Sequence, residues 1–272
     1  MVRSLFLLSL LGCGGPNEET LVSELRVMAV VVEPPEVAPG ESVQITPVVL
    51  DPAAEGFETL VWTCTRLGPE CLENELPLEV WATVTTGTTA RTIPAELSAA
   101  LSEDLQEIPV STWVLSCEVG LCPLFEAVQD PPEAGTDAYL ALLADLADPT
   151  RWMDSLPQTG VSLGTKSFIV SQRPVEERNE NPVPVLTEPL PEVGQESRIV
   201  LHFEVEDQQS ETPAAYGYAT GGGFEFTAYD VEAGAVDLAW VAPAEAGNVL
   251  LRVVFADGLG GNAVWEGDVS VE

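Results

Sequence analysis

RIVLHFEVED, residues 198–207, decides the fold class. Ile199, Leu201, Phe203 and Val205 fall on one side of an extended chain, and Arg198, Val200, His202, Glu204 and Glu206 on the other. A period of two marks a half-buried strand, because successive side chains in a strand point to opposite faces. The pattern extends outward from this stretch. GFEFTAY (223–229) and VDLAWVAP (236–243) follow it, then NVLLRVVFADG (248–258) and NAVWEGDVSVE (262–272). The last two are joined by Asp257-Gly258 and Gly260-Gly261-Asn262, residues that suit a tight hairpin turn.

The N-terminal half reads in the same way. Leu25, Val27, Ala29 and Val31 alternate, and EPPEVAPGE breaks the pattern with turn residues. Val43, Ile45 and Val49 share a face, with Pro47 implying an edge or a bulge. Leu60, Trp62 and Cys64 form another row, as do Trp113, Leu115, Cys117 and Val119. TKSFIVSQRP (165–174) reads as the last strand of this half. Two stretches depart from the β pattern. IPAELSAALSEDL (93–105) spaces Leu97, Leu101 and Leu105 by four behind Pro94. TDAYLALLADLADPTRWM (136–153) aligns Tyr139, Leu143, Leu146 and Met153, with Thr136 as N-cap and Pro149 as a stop. Both are expected to be short amphipathic helices capping an open end of the sandwich. RPVEERNENPVP (173–184) is charged, Pro-rich and aperiodic, hence a linker. Short strands, frequent turns and no βαβ alternation argue for an all-β chain of two sandwiches.

PPEVAPGESV (34–43) ahead of a strand resembles the opening of bacterial immunoglobulin-like modules, and VVFADGLGGNAVWEGDVSVE (253–272) is similar to their closing hairpin. ELRVMAVVVEPPEVAPGESV, VWTC, PAEL, NENPVP and the W-x-x-P…DGLGG ending, in that order, resemble acidic envelope lipoproteins of predatory soil bacteria. The resemblance implies two immunoglobulin-like β-sandwich domains, the first with helical insertions. It rests on structural motifs, so no catalytic residue carries over from it.

The N-terminus reads as an export and anchoring signal. Arg3 precedes the apolar run Ser4–Leu11, which is far short of a bilayer span. Leu10-Leu11-Gly12-Cys13 resembles the lipobox of bacterial lipoproteins, which implies that Cys13 becomes the acylated first residue of the mature chain. Several acyl chains would anchor it stably, since one binds only marginally. Gly14, where enteric sorting rules read an Asp as inner-membrane retention, favours the outer membrane by that resemblance. The expected division is a signal peptide over 1–12, a tether over 13–23, the first domain over 24–172, a linker over 173–184 and the second domain over 185–272.

The chain has five cysteines. Lipidation of Cys13 leaves Cys64, Cys71, Cys117 and Cys122, which an export signal places in an oxidising compartment. Their spacing suggests local bridges Cys64–Cys71 and Cys117–Cys122. A cross-strand Cys64–Cys117 pairing is the alternative, and zinc is disfavoured by the lack of CxxC spacing.

The formal net charge is −34, with 44 acidic and 10 basic residues. Such a surface repels nucleic acid and anionic headgroups. His202 is the one histidine, and it lies on the polar row among carboxylates, so a histidine-based triad or zinc site is not expected. GGG at 221–223 sits between strands as a turn rather than a phosphate loop. Paired carboxylates for glycan hydrolysis cannot be nominated among so many. Asp257, Asn262 and Asp268 form the set nominated for calcium, against a reading of Asp257-Gly258 as turn chemistry. Trp62, Trp113 and Trp240 are expected in cores. The sequence therefore implies no catalytic residue and no required cofactor. It points to a lipid-anchored, non-enzymatic envelope module that binds protein or glycan. A carboxylate-dependent glycan hydrolase and a calcium-stabilised adhesion module are the alternatives.

Overall fold

The computed structural model describes residues 18–53, 56–65, 81–101, 105–148, 150–153, 156–157, 159–206 and 213–272. It is an all-β chain of two immunoglobulin-like sandwiches. Strands β1 (Arg26–Glu33), β2 (Glu36–Val37), β3 (Ser42–Leu50), β4 (Phe57–Thr65), β5 (Ala82–Thr85), β6 (Thr89–Thr92), β7 (Glu107–Glu118) and β8 (Val161–Ser171) build the N-terminal module. They form a three-stranded sheet, β1-β3-β6, and a five-stranded sheet, β2-β8-β7-β4-β5.

Between these sheets lies a core of Val30, Val32, Ile45, Val61, Val114 and Phe168 with their neighbours. The outer face of the five-stranded sheet is buried as well. Leu60, Trp62, Leu115 and Cys117 pack there against helices α1 (Pro123–Gln129) and α2 (Asp137–Ala147), with α3 (Thr150–Met153) beside them. The Trp62 indole N–H donates to the Leu146 carbonyl at 2.8 Å, and its ring stacks on Trp113 with centroids 6.1 Å apart. The helices are thus a third layer and not the end-cap expected from the sequence. The reason is that the large apolar residues Leu60 and Trp62 lie on the outer row of β4, with Val61 and three threonines on the inner row, and all seven residues from Thr59 to Thr65 are buried.

Three further expectations change. The alternation Leu25-Val27-Ala29-Val31 is interrupted by a register shift between Val27 and Ala29, so Val30 and Val32 point into the core in place of Val31. IPAEL forms a 3-10 turn, Ala95–Ala99, with Leu97 and Leu101 buried and Leu105 exposed. Helix α1 starts at Pro123, where proline is favourable as the first helical residue, and the periodicity does not reveal it. Thr136 does cap α2, accepting the Tyr139 N–H at 3.3 Å, and the buried residues of α2 are Leu142, Leu143 and Leu146.

Cys117 and Cys122 are disulfide-bonded, with Cα atoms 6.2 Å apart. Cys64 is also disulfide-bonded, and Cys71 lies outside the described residues. The cross-strand alternative Cys64–Cys117 is excluded. Antiparallel pairing sets Cys64 against Ser111 and Cys117 against Glu58, at opposite ends of the ladder.

The C-terminal module has two four-stranded sheets. One is β12-β14-β10-β9, from β9 (Val183–Leu186), β10 (Arg198–Glu206), β12 (Gly223–Phe224) and β14 (Ala235–Val241). The other is β13-β11-β15-β16, from β11 (Ala214–Ala219), β13 (Tyr229–Asp230), β15 (Gly247–Ala256) and β16 (Asn262–Val271). Leu201, Phe203 and Val205 point inward as the alternation requires, against Leu238, Trp240, Leu251 and Phe255. Phe203 meets Phe255 and Trp265 edge-on, each at 5.1 Å between centroids. GFEFTAY is not one strand. It splits into β12 and β13, which belong to different sheets. The β15–β16 hairpin turns through Gly258 and Gly260 at φ 81° and 112°, which favours glycine at both. Among the described residues no helix is long and apolar enough to cross a membrane.

Candidate functional site

The most elaborate polar chemistry lies where the two modules meet, and the segment read as a linker supplies much of it. The Glu36 carboxylate, 1 % exposed, accepts from the Ser171 hydroxyl at 2.5 Å and from the Asn179 backbone N–H at 2.9 Å. The Arg173 guanidinium lies 3.2 Å from it. Asn179 then reaches the other module, its side-chain N–H donating to Asp257 Oδ2 at 2.7 Å. Asp257 is fully buried and also accepts the backbone N–H groups of Leu259 (2.7 Å) and Gly261 (2.9 Å). Burial pushes the Lys166 ammonium below its ordinary range, and the Asp257 carboxylate pulls it partway back. A buried charge is tolerated only with such partners.

Two further asparagines close the seam. The Asn181 side-chain N–H donates to the Val32 carbonyl at 2.9 Å and to Glu33, while its oxygen accepts the Asn262 backbone N–H at 2.8 Å. The Asn262 side chain donates to the Val30 carbonyl at 3.0 Å. Arg178 pairs with Glu41 at 2.6 Å. The linker is therefore hydrogen-bonded along its length, and β9 begins inside it at Val183. Aperiodic composition hid this because asparagine side chains, rather than buried apolar rows, make the contacts.

The chain before β1 also crosses to the C-terminal module. The Thr20 hydroxyl oxygen accepts the Phe224 backbone N–H at 2.9 Å, and the Val22 N–H donates to the Ala219 carbonyl at 2.8 Å. Leu21 forms a parallel bridge with Ala219, and the Arg26 guanidinium sits 5.3 Å from the centre of the Tyr218 ring. The end of the expected tether is thus a strap on the β11 edge. Among the described residues two seams join the modules, one at the linker and one at the strap.

Beside the linker seam opens a groove of about 720 Å³, lined by Val48, Val183, Val264, Glu33, Glu180 and Glu266 among others. Val183 belongs to the edge strand β9, where it and Val185 are more than half exposed.

Cys13 lies outside the described residues. His202 is exposed and its Nδ1 is 2.7 Å from Asp237 Oδ1, its partner on β14. Asp257, Asn262 and Asp268 are not brought together. Asp268 is exposed on β16, opposite Leu250, six residues beyond Asn262. Both Asp257 oxygens already face N–H donors, so this carboxylate serves the turn and the seam. Among the described residues no group of three or more His, Cys, Asp or Glu is placed to hold a metal ion. Trp62 and Trp240 are fully buried, and Trp113 is partly so.

No protein-family model matches the chain, and no curated protein matches it. Among solved structures it is similar to the fibronectin(III)-like modules of Clostridium thermocellum CbhA, at 12 % identity over 89 % of this chain and 93 % of that one, with a TM-score of 0.30. The D00-D0 domain of Intimin gives 7 % identity over 92 % and 98 %, with a TM-score of 0.27. A conjugative transposon lipoprotein from Bacteroides eggerthii gives 17 % identity over 32 % of this chain and 95 % of that one, with a TM-score of 0.27. The fold assignment rests on the strand order and the cores described above.

Proposed function

We propose that the chain is a lipid-anchored cell-envelope protein, held in the outer membrane through Cys13, whose two modules act as one preset, non-enzymatic interaction body. The groove beside the linker is the surface it offers to an envelope protein or a glycan. The observation that carries this reading is the pair of seams. A buried network through Glu36, Asn179 and Asp257 at one seam and the strap at the other fix two modules that a loose linker would leave free. A fixed pair presents a composite groove with no ordering cost at each binding event, which is the use of preorganisation. The acidic surface suits a basic or neutral partner and disfavours nucleic acid. The resemblance to acidic envelope lipoproteins of predatory soil bacteria agrees with the anchor.

Replacing Cys13 by Ala is expected to abolish incorporation of labelled fatty acid and to move the protein out of the membrane fraction. Unchanged labelling and sedimentation would contradict the anchor. A photo-crosslinking residue at Val264, in the groove, should capture a discrete envelope component in intact cells that the same residue at Glu133 does not. Equal capture at the two positions would contradict the groove.

A further inference from the structure

From the strap we infer that the C-terminal module, and not the N-terminal one that follows the anchor in sequence, is held against the bilayer, with its β11–β12 side facing the lipid. The inference rests on the anchor reading above and adds which surface meets the membrane.

The chain can reach only so far. Thr20 lies seven residues after Cys13, and an extended chain spans at most about 3.5 Å per residue, so Thr20 stays within roughly 25 Å of the anchor. Thr20 is itself fully buried against Phe224, and Val22 is 2 % exposed against Ala219. The anchor therefore leads first to the C-terminal module and enters the N-terminal module only at Arg26, where β1 begins.

The attachment also has a side. β12 is an edge of one sheet, and β13 is an edge of the other. β13 pairs only with Ala214 and Ala215 of β11, so the rest of that β11 edge is open to the strap at Ala219. The opposite edges of the two sheets are β9 and β16, and β16 lines the groove. A sheet of four strands is about 14 Å across, so strap and groove lie on opposite sides of the module. The strap side carries the exposed side chains Leu21 and Phe226, apolar groups that suit the headgroup boundary, and with Glu19 and Glu24 exposed on the strap itself the face suits neutral rather than anionic headgroups. The neighbouring Glu225 carboxylate is neutralised by Arg198, in contacts of 2.5 and 3.0 Å. The groove consequently opens away from the lipid, toward whatever the envelope presents.

The test couples the full chain through its Cys13 thiol to vesicles containing maleimide-headgroup lipid, so it judges orientation even if cells do not acylate Cys13. An azide-bearing residue at 226, 185 or 133 carries a clicked fluorophore, and a nitroxide lipid quenches it. Quenching at 226 is expected to exceed that at 185 and 133 by about twofold or more, given the width of the sheet. Equal quenching, or stronger quenching at 185 or 133, overturns the inference. In a second variant, Thr20→Val with Arg26→Ala releases the strap, and the difference between 226 and 185 is expected to shrink. A difference that persists undiminished in a folded variant also overturns it. Loss of native lipid labelling in cells is a separate result, and it counts against the anchor alone.

Discussion

In the N-terminal module the five-stranded sheet is buried on both faces, by a second sheet and by a layer of helices, whereas in the C-terminal module each sheet packs one face into a single core. The first module closes its own sandwich and grows outward. The second borrows its closure, since its β11 edge is covered by residues that precede the whole first module. The modules thus differ in where their stability resides. One depends on its own layers, the other on its neighbour and on the chain that reaches it.

That contrast can be strained at graded points. The largest effect is expected from Trp62→Ala, which empties the space between sheet and helices. Losses of this kind cost about 3–5 kcal/mol, read as the denaturation midpoint of the N-terminal module, with proteolytic cutting appearing within residues 123–153. Next is Asp257→Ala. It leaves the Leu259 and Gly261 N–H groups and the Asn179 amide without their acceptor and Lys166 without its nearby carboxylate. A cost of about 2–3 kcal/mol follows, and one cooperative calorimetric transition should split into two. Arg26→Ala removes the stacking on Tyr218, worth about 0.5–1 kcal/mol, and should speed amide exchange at Phe224 and Val22 without changing it at Phe203.

The smallest effect is a pH dependence. The Ala38 amide, with Arg178, holds the Glu41 carboxyl below its ordinary value of 4.5. Its folded-state value is thus lower than the unfolded one, so the stabilisation is full above about 4.5 and fades as pH falls through the folded-state value. Glu41→Gln should flatten the acid limb of the melting profile slightly, and an unchanged limb would show that this contact contributes nothing.

The same contrast explains what was legible in the sequence. The alternation at 198–205 survives intact because β10 buries one face, so its inward residues follow from period alone. β4 hides its role, because a strand covered on both sides shows no alternation that tells a core row from a helix-facing one. In β1 a single extra residue after Val27 moved the inward set by one, which no local signal announces. The site was the least legible part. Asn179 and Asn181 sit in a stretch whose composition says linker, and Glu36 sits in a turn-rich break. Their partners, Ser171, Val32, Asp257 and Asn262, are distant in sequence and lie in both modules, so no local pattern announces them. Asp257-Gly258 announces a turn, and the turn forms, but the contact of Asp257 with Asn179 joins residues 78 positions apart.

The central claim is that the two modules form one fixed body. Double electron–electron resonance between spin labels clicked onto azide-bearing residues at 133 and 204, both exposed and on different modules, tests it most directly. One narrow distance distribution is expected in the wild-type background, broadening when Asp257→Ala is added. A broad distribution in the wild-type background, unchanged by Asp257→Ala, would contradict it.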